Sequence, residues 1–272
     1  FWWGSVFLLG VPVMALLLVV GPKLLPEFRD PNAGRLDLTS AAMSLTAVLS
    51  IIYGLKRIAQ DGVGLLPAVF IVTGIAIGVL FVGRQRRLAD PFIDLRLFRV
   101  PSFSAALATN TLGIFVAFGT FLFTSQYLQL VLGFSPLVPG LWTLPSSLGF
   151  VVGSMAAPLL VRRARPAYIM AGGLTLVAAG LMLMTQVEGE RALTLLVTGT
   201  VVLALGLSPV VTLGTDLIVG SAPRERAGAA SSLSETGAEL GGALGIAVLG
   251  SIGTAVYRTM MAEAVPRGVS PE

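Results

Sequence analysis

The sequence contains no cysteine and no histidine, and charged residues fill only 12% of its 272 positions. Without imidazole there is no histidine general base and no Ser-His triad. Without either residue there is no His or Cys metal site and no disulfide. A soluble domain would carry about a quarter charged residues. Here the charges sit in short clusters, and residues 100–161 hold no Asp, Glu, Lys or Arg at all. Apolar residues make up 55% of the chain. A bilayer crossing takes roughly 20 of them in succession, so the expected fold class is an all-α membrane protein of several spans. The net charge of +4 reads as loop charge that sets topology, not as a nucleic-acid surface. No nucleic-acid partner, cofactor or metal is expected, and the lipid bilayer is the expected surrounding.

Eight apolar runs can be counted, at about 4–22, 38–55, 63–83, 103–132, 138–161, 167–187, 192–220 and 227–257. Turn-forming stretches separate them: "RDPNAGR", "QDGVG", "ADPF", "GFSPLVPG", "RRARP", "VEGER" and "SAPRER". Glycine and proline inside the runs are compatible with membrane helices. Thirteen Lys and Arg follow the first, third, fifth and seventh runs, against five on the other side. The positive-inside rule makes the thirteen-charge side cytoplasmic, so both ends of the chain are expected outside. The first run has no basic residues before it and does not read as a signal peptide. An outward N-terminus is the expectation for a piece lacking an odd number of upstream helices.

One run carries two acids four residues apart. "SSLSETGAELGGALGIAVLG" (231–250) carries Glu235 and Glu239. Residues four apart share a helix face, about 6 Å from each other. A charge deep in a bilayer costs on the order of 3 kcal/mol, which makes such residues functional candidates. Two carboxylates about 6 Å apart repel by roughly 3 kcal/mol at an effective dielectric of 20. A proton or a cation relieves that repulsion, so the two compete for one negative charge. The alternative is structural: Glu235 pairs with a loop arginine and Glu239 hydrogen-bonds to a Ser or Thr of a neighbouring helix. Depth favours Glu239 as the proton carrier.

Gly237, Gly241 and Gly245 repeat every four residues on a face roughly 140° from the acids, a spacing that allows close helix packing in lipid. Asp216, near the end of the preceding run, is a third coupling candidate; pairing with Arg224, Arg226 or the "RRARP" loop is the other reading. Pro209 is expected to kink that run. In the fourth run, Phe115, Phe118, Gly119, Leu122 and Gln126 share a face. An aromatic face attracts quaternary ammonium groups, which makes Asn110, Phe115, Phe118 and Gln126 substrate-cavity candidates. Packing or lipid contact is the alternative for each phenylalanine.

Several stretches resemble one family. "FWWGSVFLLGVPV" (1–13) is similar to the sixth helix of the fourteen-helix drug:proton antiporters of the major facilitator superfamily. "DPFIDLRLFRVPSFSAAL" (90–107) resembles their lead-in to the C-terminal bundle. "QYLQLVLGFSPLVPGLWTLP" (126–145) is similar to the next loop and helix start of those proteins. "TDLIVGSAPRERAGAASSLSETGAELGGALGIAVLGSIGTAVYR" (215–258) resembles the late helices of the quaternary-ammonium efflux branch. The resemblance implies that five helices precede the chain and one comes after it. Residues 1–28 would hold the last helix of the N-terminal bundle, 29–89 two extra central helices, and 90–272 five of six C-terminal helices. "GSMAAPLLVRRARP" (153–166) lies where the superfamily repeats a cytoplasmic loop motif, to which Arg162, Arg163 and Arg165 would belong. The acidic residue of the fuller motif is missing, so these arginines read as membrane-surface anchors. Arg96 and Arg99 in "DLRLFRV" read likewise, in an amphipathic stretch on the inner surface.

The expectation is a piece of a proton-coupled exporter of lipophilic and quaternary ammonium cations, not an enzyme, working by alternating access. It would be a multi-pass protein of the plasma membrane and a monomer when full length. The rivals are a carrier for another solute, an intramembrane enzyme and a non-transporting membrane scaffold. No intramembrane lysine is present to serve the enzyme, and the scaffold would have no use for buried acids.

Overall fold

In lipid every backbone polar group must be satisfied within the chain, so apolar runs of this length close into helices. The computed structural model describes Ser5, Leu8 and residues 10–24, 37–62, 64–88, 91–223 and 226–264. Among these it contains helices and turns and no strand. Helix α1 (Gly10–Leu24) belongs to a separate unit, residues 1–37. Residues 38–272 form the second unit. Its helices are α2 (Leu38–Asp61), α3 (Leu65–Gln85), α4 (Pro101–Gln126), α5 (Leu137–Trp142) and α6 (Leu144–Val161), then α7 (Pro166–Met184), α8 (Ala192–Gly220), α9 (Ala227–Leu244) and α10 (Gly250–Ala264).

Among the described residues, seven helical stretches are long and apolar enough to cross a membrane, and α1 is a shorter apolar helix. The seven match the second to eighth runs of the sequence, and α1 covers the part of the first run from residue 10 on; most of residues 4–9 lies outside the described residues. Pro101 and Pro166 open α4 and α7, at the position where a missing N–H costs nothing. Two features were not expected. The fourth and eighth runs are not uniform α-helix: each passes through a π-helical turn, Tyr127–Val131 and Gly245–Leu249. The fifth run is stepped at Thr143, between α5 and α6.

Helix α8 is the hub of the second unit, packing on α7, α6, α4 and α9. Its stretch Gly206–Val210 is wholly buried. Glycines make this density possible. A Cβ on Gly180 would lie 2.7 Å from the Gly199 carbonyl oxygen, and one on Gly173 would overlap the Gly206 carbonyl. Helices α2 and α3 form an antiparallel pair closed the same way, with Gly74 against the Ala47 carbonyl at 2.8 Å. The pair meets α10 through α2.

Pro209 stands inside α8, which runs unbroken through it. Proline has no N–H to give to the carbonyl four residues back, here that of Leu205. That carbonyl faces Gly153 of α6, where a Cβ would come within 2.9 Å. Beside Gly153 on α6, Ser154 shares a 3.0 Å hydrogen bond with Thr212.

Candidate translocation surface

Glu235 and Glu239 of α9 point away from the row Gly237, Gly241 and Gly245. Gly237 faces Thr111 of α4, where a Cβ would lie 2.7 Å from Oγ1. At Gly241 and Gly245 it would overlap the Thr111 and Phe115 carbonyls. With this face against α4, a rotation of about 100° per residue turns Glu235 and Glu239 away from the contact. Both are exposed, and neither has a hydrogen-bond or ion-pair partner among the described residues. The glycine seam therefore leaves both carboxylates exposed, with the Phe118 ring of α4 over Gly242 beyond Glu239 on their side of the helix.

Asp216 is also exposed, on the last two turns of α8. Arg226, one of the partners considered for it, is instead in an ion pair with Asp94. Asp94 is buried, and its Oδ1 accepts the Arg96 backbone N–H at 3.0 Å. Sequence reading passed over this residue. Its signal is the Asp-x-Arg spacing of an Asx turn just before the short 3-10 turn Leu97–Arg99. Arg162, Arg163 and Arg165 are exposed in the turn between α6 and α7, and Arg224 lies outside the described residues.

The four cavity candidates of α4 separate. The Phe118 ring lies over Gly242, 3.3 Å from where a Cβ would stand. It also lines two cavities. One, of about 460 Å³, lies between α4, α6 and α8 with Phe121, Thr124, Ser146, Ser147 and Phe150 in its wall. The other, of about 280 Å³, includes Gln126, Gln129 and Ile246. Gln126 also lines a cavity of about 660 Å³ with Tyr127 and Tyr257. Phe115 is half-buried, its carbonyl serving as the landing point of Gly245. Asn110 is 3% exposed and faces Gly214 of α8, its Oδ1 buried without a partner among the described residues. Ser146, Ser147 and Phe150 were not singled out from sequence. The small polar pair inside a charge-free run was their only mark.

The model of the Major Facilitator Superfamily matches residues 1–246. The chain belongs to the major facilitator superfamily. It is accordingly a multi-pass membrane chain of transporter type, not an enzyme. Within the superfamily it is 42% identical, over its whole length and 54% of the relative, to the multidrug efflux pump LfrA of Mycolicibacterium smegmatis. It is 32% identical to the tetracenomycin C resistance and export protein of Streptomyces glaucescens, covering 91% of this chain and 46% of that protein. The multidrug resistance protein Stp of Mycobacterium tuberculosis is also 32% identical, over 92% of this chain and 47% of Stp. The chain spans about half the length of these curated relatives.

Proposed function

We propose that this chain is the C-terminal part of a proton-coupled exporter of lipophilic cations, quaternary ammonium compounds among them. The observation that carries the reading is the exposed pair Glu235 and Glu239 on α9, without a partner among the described residues. In an apolar span such a pair has a use when a proton and a cation take turns on it. The names of the relatives, drug efflux and antibiotic resistance proteins, support export over uptake. Phe118, Phe121 and Phe150 in one cavity wall suit cations that carry apolar groups.

The domain reading belongs to the same proposal: α1 closes an N-terminal bundle, α2 and α3 are the additional pair of a fourteen-helix carrier, and the helices from α4 onward form most of the C-terminal bundle. The acid face of α9 then lines the path between bundles, which rock to open it to either side. The basic side of the chain is cytoplasmic, the membrane is the plasma membrane, and the full-length carrier works as a monomer.

The test is cation movement in vesicles containing the full-length protein, with a pH gradient imposed in each direction. Accumulation of a fluorescent lipophilic cation against its gradient, reversing with the sign of the pH gradient, is the expected result. Movement of the cation that ignores the pH gradient would remove proton coupling. No movement under either sign would remove the exporter itself.

A further inference from the structure

At the end of α3, the segment 91–99 and the start of α9 enclose a cavity of about 710 Å³ lined by Gln85, Arg86, Asp94, Arg96, Arg99 and Arg226. Four arginines face one carboxylate among the described residues, and that carboxylate is already engaged by Arg226. The wall therefore carries an excess of positive charge that no described side chain balances. A run of basic residues on an open surface is ordinarily a solvated face. This one differs in that its scaffold is fixed.

Leu97, between the two arginines of the segment, is 4% exposed and packs with Phe103, Ile218 and Ala230. Gln85 is 3% exposed; its Nε2 donates to the Ser40 hydroxyl at 2.7 Å, and its Oε1 accepts the Ile93 N–H at 3.2 Å. The segment is thus tied down at Ile93, Asp94 and Leu97, so Arg96 and Arg99 leave it from a defined backbone. The volume is within the range that holds a drug-sized ligand.

We propose that this cavity binds a phosphate-ester anion, and that the headgroup of an anionic phospholipid fills it. All four cations are arginine, whose planar fork matches phosphate oxygens in pairs. The cavity also lies at the end of a membrane span, since Val82 in its wall belongs to the last turns of α3. Phe98, 42% exposed, adds apolar surface to the same wall. An anionic phospholipid has both parts, a phosphate for the arginines and acyl chains for the apolar rim. Basic pockets between membrane helices favour anionic over zwitterionic lipid for the same electrostatic reason.

The proposal is independent of what the protein transports, and its test reads binding alone. Full-length protein in detergent is titrated with phosphatidylglycerol or phosphatidylcholine and examined by native mass spectrometry. Phosphatidylglycerol is expected to bind in preference, and R96Q/R99Q to weaken it by at least about tenfold, the loss of one charge-assisted hydrogen bond. R191Q, which removes an exposed charge between α7 and α8 and outside the cavity, should leave the affinity unchanged. Should R96Q/R99Q not yield folded protein, R86Q carries the same expectation with a smaller loss. Equal binding of the two lipids, or unchanged phosphatidylglycerol binding in R96Q/R99Q and R86Q, overturns the proposal. Inorganic phosphate is the third arm: if it binds these arginines and no lipid preference exists, the lipid as the source is overturned.

Discussion

Toward α9, helix α4 meets a row of glycines that leaves no room for a methyl group; toward α6 and α8 it leaves a cavity of about 460 Å³. The two sides are made from different residue types. The closed side uses Thr111 and Phe115 mainly through their backbone, while the open side offers Phe118, Phe121 and Thr124 through their side chains. The contrast teaches how a helix in lipid can be both anchored and functional. Water provides no hydrophobic drive between helices here, so contact rests on close backbone approach. Surface not used for such contact is free to face a ligand. Substitutions should therefore have sharply different effects on the two sides.

The largest effect is expected at the seams. Gly241→Ala puts a methyl group into the Thr111 carbonyl, whereas Gly228→Ala, on the same helix, meets nothing within 4 Å. Overpacking of this kind costs about 1–3 kcal/mol or more, so Gly241→Ala should lower the thermal midpoint by several degrees or abolish folded yield. Gly228→Ala should leave the midpoint unchanged or raise it slightly, since alanine loses less entropy in a helix. The dipeptide Gly172–Gly173 sharpens the point: only Gly173 is pressed on α8, against the Gly206 carbonyl, while Gly172 has no neighbour within 4 Å. Equal midpoints for Gly172→Ala and Gly173→Ala would break the account of the seam.

Next come the exposed carboxylates of α9. Glu239→Gln keeps shape and removes the charge for which proton and cation are proposed to compete. pH-driven cation accumulation by full-length protein in vesicles should fall at least about tenfold, corresponding to 1.4 kcal/mol or more of coupling, with no loss of thermal midpoint. Glu235→Gln should cost less, because it lies one turn nearer the start of α9. Retained accumulation in both variants would detach the carboxylates of α9 from coupling.

How much of this was legible beforehand depends on the kind of contact. The spans were legible because 20 apolar residues in a row have few other uses. That Glu235 and Glu239 point away from Gly237 and Gly241 followed from helical periodicity alone, and α9 packs accordingly. Contacts between distant segments were not legible. Arg226 had several candidate partners in sequence, and only the fold brings Asp94 beside it. The same holds for Gln85, whose bonds to Ser40 and Ile93 join three separate stretches. The π turns at Tyr127–Val131 and Gly245–Leu249 left no periodic mark, since one added residue per turn does not change the composition of a run.

A smaller effect is expected on the open side of α4. Phe118 is 46% exposed and borders two cavities. Removing one aromatic face costs about 0.5–1 kcal/mol of cation attraction, so Phe118→Ala should raise the KM for a quaternary ammonium substrate roughly two- to fivefold with the fold intact. Leu112, also exposed on α4 but outside both cavities, should give an unchanged KM as Leu112→Ala. A KM that moves equally in both would mean that the cavity wall has no special part in binding.

The smallest effect separates two serines at the α6–α8 contact. Ser154 shares a 3.0 Å hydrogen bond with Thr212. Ser208, fully buried beside Gly153, has no partner for its Oγ among the described residues. Interhelical hydrogen bonds in membranes average about 0.6 kcal/mol, so Ser154→Ala should lower the thermal midpoint by only about a degree or two. Ser208→Ala removes a polar atom whose burial is uncompensated, and such a loss is neutral or stabilising. The midpoint of Ser208→Ala should therefore equal or exceed that of the parent, although its serine is the more deeply buried of the two. If Ser208→Ala instead destabilises more than Ser154→Ala, the Ser208 hydroxyl has found a partner at the Pro209 notch. The Leu205 carbonyl, which Pro209 has no N–H to engage and which faces the same glycine, would be the acceptor to examine with a Pro209→Ala background, where an N–H competes for it.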